Sequence, residues 1–121
     1  MYVKTINWID KNSREAEVIV SDGCIELLCF SHPFKNSINE KLEEPIHCFD
    51  VDNVALAQNQ RTYANKKSSY FGYTLCGKLV DKDNKLVYLG NIKLCLESAY
   101  ISNDIPEGSY IELSVSRLDI Y

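Results

Sequence analysis

Apolar and polar side chains alternate most cleanly between Arg14 and Phe30. Glu15-Ala16-Glu17-Val18-Ile19-Val20 and Ile25-Glu26-Leu27-Leu28-Cys29-Phe30 form two β-prone runs around Ser21-Asp22-Gly23-Cys24. A period of two is the strand period, because successive side chains point to opposite faces. Asp-Gly accepts positive φ at both central positions of a primed turn, whose twist matches that of the strands it joins. The stretch therefore predicts a β-hairpin. Tyr2 to Ile9 alternates as well, and the short polar Asp10-Lys11-Asn12-Ser13 links it antiparallel to the hairpin as a meander.

The pattern breaks at Ser31-His32-Pro33, since proline has no N–H to give a ladder. Phe34 to Pro45 is polar and reads as a long loop, with a helical turn around Ile38 to Glu44. Ile46-His47-Cys48-Phe49-Asp50-Val51 alternates again and returns to the sheet. Val54, Ala55, Leu56 and Ala57 prolong it as strand, although Asp52 or Asn53 could instead cap a short helix. Gln58 to Ser69 has Ala64 as its sole aliphatic residue, so it can bury little and reads as a loop that is mobile or ordered by a partner.

Tyr70 to Val80 is strand-like, with Gly77 inside it as a bulge or sharp bend. Asp81 to Lys85 is a turn, and Leu86 to Leu89 pairs back. After a tight turn at Gly90-Asn91, Ile92, Leu94 and Leu96 alternate with Lys93, Cys95 and Glu97. Ile105-Pro106-Glu107-Gly108 suits a type I turn. The last strand carries Ile111, Leu113 and Val115, but from Arg117 the phase reverses to Leu118 and Ile120. A bulge near Ser116, or a strand passing from one sheet to another, accounts for that.

About seven or eight short strands and no long helix predict one all-β domain over residues 1–121, a small antiparallel barrel or sandwich with a long polar loop region. The Pro-Glu-Gly turn into a long bent strand, together with Gly77, resembles the oligonucleotide-binding (OB) type of barrel. The resemblance covers the last third of the chain and implies a fold, not a function.

Composition changes this picture little. With 121 residues, 45% hydrophobic and 25% charged, the chain can build one core. A net charge of −4 argues against a main task of holding a phosphate backbone. No run approaches the roughly 20 apolar residues of a membrane helix. Met1 to Trp8 lacks the apolar core and cleavage site of a signal peptide. Five cysteines are an odd number without a tight framework, as expected of reduced thiols in a cytoplasmic protein.

The chemistry-bearing residues are few. The chain has no glycine-rich phosphate loop, no HExxH, no GxSxG and no paired CxxC, so neither an enzyme nor a cofactor is expected. Cys29, His32, His47 and Cys48 are acceptable zinc ligand types, yet adjacent His47 and Cys48 point to opposite faces of a strand. Cys29 or Cys48 with either histidine lacks a third orienting group for nucleophilic catalysis. Asp50 and Asp52 could share one strand face, but such pairs are usually the solvated side of a sheet.

Charge is distributed unevenly. Glu40, Glu43, Glu44, Asp50 and Asp52 stand against Lys41 alone between residues 40 and 52, whereas Arg61, Lys66 and Lys67 have no acid among them between residues 58 and 73. The acidic segment predicts a protein partner with a basic surface, with Tyr63 as an aromatic anchor. In size, acidity, β content and absence of catalytic motifs the chain resembles the immunity proteins that plug bacterial toxins, many of them nucleases with basic clefts. The resemblance implies an inhibitor whose acidic loop mimics phosphates. The alternative is an OB-like module for single-stranded nucleic acid, in which Tyr63 and Tyr70 stack on bases while Arg61, Lys66 and Lys67 follow phosphates. A free strand edge could also pair with a second copy.

Overall fold

The computed structural model describes residues 1–121. The strands are β1 (Tyr2–Asp10), β2 (Glu15–Ser21), β3 (Glu26–Ser31), β4 (Ile46–Phe49), β5 (Asp52–Leu56), β6 (Tyr63–Lys66), β7 (Tyr73–Asp81), β8 (Leu86–Leu89), β9 (Ile92–Cys95), β10 (Tyr110–Val115) and β11 (Arg117–Ile120). No helix interrupts them, so the fold is all-β as its alternation predicts. They form one sheet in the order β1-β2-β3-β11-β4-β9-β8-β7-β10-β5, with β6 added on β7. Pairing is antiparallel except for β3 with β11 and β4 with β9.

The sheet is not closed, and its eleven strands exceed the seven or eight expected. Three breaks account for the excess. Asp50, at φ 58°, separates β4 from β5, so Asp50 and Asp52 are not alternate residues of one strand. Ser116 separates β10 from β11 at the point where the apolar phase reverses, and its N–H donates to the Phe49 carbonyl at 3.1 Å. The polar stretch expected to be a loop carries β6, paired with β7 from Tyr63↔Cys76 to Lys66↔Tyr73. A strand at the end of a ladder needs backbone partners more than apolar side chains, which is why composition hid it.

The predicted meander is present. Its β2–β3 turn is wider than expected: Ser21 pairs with Glu26, and of the four residues between them only Gly23 has positive φ, at 96°. The Asp22 carboxylate closes the turn by accepting the N–H groups of Cys24 at 2.9 Å and Ile25 at 2.8 Å. Side-chain capping has replaced the primed two-residue turn.

Gly77 is not bulged, since it pairs regularly with Ile111. Its reason is space: a Cβ there would lie 2.6 Å from the Tyr88 carbonyl oxygen and 2.7 Å from Leu89 Cδ1. It is also where one edge of β7 passes from β6 to β8, whose pairing begins at Lys78.

One core takes fully buried side chains from every strand but β5 and β6, among them Val18, Leu27, Leu75, Leu94, Leu113 and Leu118, while Val54 of β5 and Ala64 of β6 pack against it partly buried. Each fully buried side chain of this size contributes about 1.5–3 kcal/mol. The Tyr73 hydroxyl crosses from β7 to bond the Leu28 N–H of β3 at 2.9 Å, so the sheet is rolled until distant strands meet.

The segment from His32 to Pro45 has no helical turn, but it is pinned. Phe34 is buried beside Trp8, at 6.4 Å between ring centroids, and exchanges hydrogen bonds with Arg14. Asn39, Glu40 and Leu42 bond the backbone of Met1 and Val3 along the outer edge of β1. Register shifts between Val3 and Thr5 and between Trp8 and Asp10 bulge β1 at both ends.

Candidate protein-interaction face

The phase reversal at Ser116 decides the site. It turns Leu118 and Ile120 inward and leaves Arg117 on the outer face, opposite Phe49 of β4. Asp119, beside Phe30 of β3 on one side and His47 of β4 on the other, receives the guanidinium in two prongs, Nε to Oδ1 at 2.6 Å and Nη2 to Oδ2 at 3.1 Å. Bidentate geometry is the strong form of such a pair. The Asp119 carboxylate holds the Arg117 guanidinium above its ordinary range. The same guanidinium lies 4.8 Å from the centres of both the Phe30 and Phe49 rings, within cation–π range.

Aromatic contacts continue from there. Phe71 meets Phe30 edge-on at 6.0 Å, and Tyr70 meets Phe71 at 4.8 Å. The Tyr70 hydroxyl donates to the Glu17 carboxylate at 2.7 Å, a bond that raises its pKa, and Glu17 pairs with Phe30 in register. On the other flank the His47 ring lies 4.4 Å from that of Tyr121, while its Nδ1 contacts the Glu97 carboxylate. Phe49 is 54% exposed and Tyr121 83%.

Four clefts are bordered by Tyr121, and two of them carry acids singled out in the sequence. One, of about 420 Å³, is bordered by Leu42, Glu43, Glu44, His47 and Ile120. The other, of about 500 Å³, is bordered by Phe49, Asp50, Leu96, Glu97 and Tyr100. The structure therefore places Glu43, Glu44 and Asp50 around the aromatic face. Glu40 and Asp52 border neither cleft. The Glu40 carboxylate accepts the Ser37 N–H at 3.2 Å and the Asn36 amide, and Asp52 stands on β5 opposite Ser114.

The basic set divides. Arg61 and Tyr63 border a polar cleft of about 530 Å³, together with Gln58, Asn65 and Glu112. Tyr63 donates to the Glu112 carboxylate there, which places an acid beside the arginine. Lys66 donates to the Ser69 carbonyl at 2.6 Å and stands over the Tyr73 ring, Lys67 is exposed in the next loop, and Tyr70 is held by Glu17. Neither Lys66 nor Lys67 borders the cleft that holds Arg61 and Tyr63.

Cys29 and Cys48 are buried in the core on either side of Leu118, whereas His47 alternates outward. Burial pushes both thiols well up, which keeps them protonated. No group of three or more His, Cys, Asp or Glu side chains is arranged to hold a metal ion.

Phe30, Phe49, Arg117, Tyr100 and Tyr121 are what sequence reasoning missed. Their signal was the outward phase: Ile46 and Cys48 face in, so Phe49 must face out, and the reversal at Ser116 does the same for Arg117. Comparison with protein-family models gives no match, and neither do comparisons with characterised proteins and with solved structures.

Proposed function

We propose that this chain is a non-enzymatic protein-binding domain whose contact surface is the outer face of β3, β11 and β4. The observation that carries the reading is the Arg117 guanidinium held between Phe30 and Phe49 on a face where Phe49 and Tyr121 remain exposed. Phe, Tyr and Arg are the residues that interfaces concentrate at their energetic centres. Arg117 is already oriented by Asp119 and the rings, so little side-chain entropy remains to be lost on binding.

Glu43, Glu44, Asp50 and Glu97 rim this face and outweigh Lys41, which pairs with Glu43 at 3.7 Å, so the partner presents basic groups. An inhibitor of the immunity type, covering a basic nuclease-like protein, is the concrete form of the proposal. The free thiols support a reducing, cytoplasmic setting. The Tyr73–Leu28 hydrogen bond between distant strands supports reading the rolled sheet as an open relative of the OB-like barrel.

The test is affinity purification from the native cell with half the lysate treated with nuclease, comparing the natural chain with Phe49→Ser and with the pair Glu43→Lys and Glu44→Lys. One stoichiometric protein held by the natural chain and lost from both folded variants is expected. A partner held equally by all three overturns the assignment of the face. Retained nucleic acid moves the case to the cleft of Arg61 and Tyr63.

A further inference from the structure

The cleft of about 500 Å³ beside β4 has an unusual lining: apolar walls that include Phe49, Tyr100 and Tyr121, and two carboxylates, Asp50 and Glu97. Tyr100 is 77% exposed although no charged partner holds it. Asp50 and Glu97 both sit in left-handed backbone, at φ 58° and 57°, where the chain turns out of β4 and away from the end of β9. Each carboxylate is steadied by one neighbour, Asp50 by the Ser116 hydroxyl at 2.8 Å and Glu97 by His47. A carboxylate offers about four acceptor positions, so both keep capacity for another donor.

We infer that this cleft takes one cationic side chain of the partner, a lysine or an arginine, against the rings of Phe49, Tyr100 and Tyr121 with its charge met by Asp50 and Glu97. An aromatic face attracts a cation through its quadrupole, and nearby carboxylates add a direct Coulombic attraction. The protein already satisfies one cation in this way, since Arg117 lies against Phe49. Asp119 balances that guanidinium, so it does not repel a second cation at full strength. An uncharged apolar side chain would gain nothing from the two carboxylates. No third His, Cys, Asp or Glu side chain joins the two carboxylates in an arrangement that could hold a metal ion. The inference deepens the protein-binding reading and rests on it for the source of the cation.

The cleft can be tested without the partner. The capped amino-acid amides of lysine, arginine and norleucine are titrated into the natural chain, Tyr100→Ala, and the double variant Asp50→Asn with Glu97→Gln, following backbone amide shifts by NMR. Lysine or arginine is expected to give saturable shifts at Phe49, Glu97 and Tyr100 at about millimolar concentration, with norleucine giving none. Both variants, folded by the same spectra, should weaken binding at least about tenfold. Equal binding of norleucine overturns the inference in favour of a plain apolar groove. Non-saturating shifts, or shifts unchanged in the variants, overturn it outright. If the cleft fails while Phe49→Ser still releases the captured protein, this inference falls and the protein-binding reading stands.

Discussion

The Asp22 carboxylate accepts the backbone N–H of Asn91 at 3.0 Å, so the β2–β3 turn is tied to the β8–β9 turn from 69 residues away. The same carboxylate closes its own turn through Cys24 and Ile25. Burial works against its charge, but the N–H groups of Ile25, Asn91 and Cys24 outweigh that and hold its pKa below the ordinary 3.8.

The sign of the pH effect follows. With the folded pKa below the unfolded one, the contribution to stability is complete above the ordinary carboxylate range and vanishes as pH falls through the depressed folded value. Asp22→Ala should cost about 1–2 kcal/mol at neutral pH, discounted from a buried case because the group is partly solvated. Asp22→Asn has one acceptor oxygen where two are used, so it keeps the turn or the tie and not both. Urea denaturation at neutral and acid pH checks this. Both variants should lose less stability on acidification than the natural chain does.

Gly77→Ala should destabilise by about 1–3 kcal/mol, because its methyl meets a backbone carbonyl oxygen that can move only with the β7–β8 ladder. The measure is the denaturant midpoint. A variant as stable as the natural chain would show that β8 can shift freely.

Tyr73→Phe removes the hydroxyl that accepts the Leu28 N–H and nothing else. The expected loss is about 1 kcal/mol, with faster hydrogen exchange at the Leu28 amide. Unchanged exchange at Leu28 would mean that the two distant strands are not held together by this bond.

Arg117→Ala and Phe49→Ala should separate stability from binding. Asp119 is 5% exposed, so losing its guanidinium leaves a nearly buried carboxylate unpaired and costs about 2 kcal/mol, less than for a fully buried pair. Phe49 is half-exposed, and its truncation should change stability by no more than about 0.5 kcal/mol while weakening partner binding about tenfold or more. Thermal melts and affinity measurements on the same two variants check the contrast.

The strands whose alternation buries one face, such as β2, β9 and β10, were legible in the sequence because the hydrophobic period states which side faces the core. β6 was not, since its polar residues take their place from backbone pairing with β7 rather than from burial. The order of the sheet was also hidden: the parallel contacts of β11 with β3 and of β9 with β4 join residues 48 or more positions apart, and no local pattern records them. The acids of the candidate face could be read as a run of charge. The rings and the arginine between them could not, because Phe30, Phe49 and Arg117 come from three separate segments.

The bulges at the two ends of β1 shorten the edge that the sheet offers to another chain. An open sheet ends in unpaired N–H and C=O groups that invite another chain to add itself, and repetition of that step makes fibres. Here the regular ladder of β1 runs only from Thr5 to Trp8, and the segment from Asn39 to Leu42 already occupies the backbone before it. The regular part of that edge is thus a four-residue stretch, a shorter template for edge-to-edge pairing than the nine residues of β1 would be if they ran unbroken.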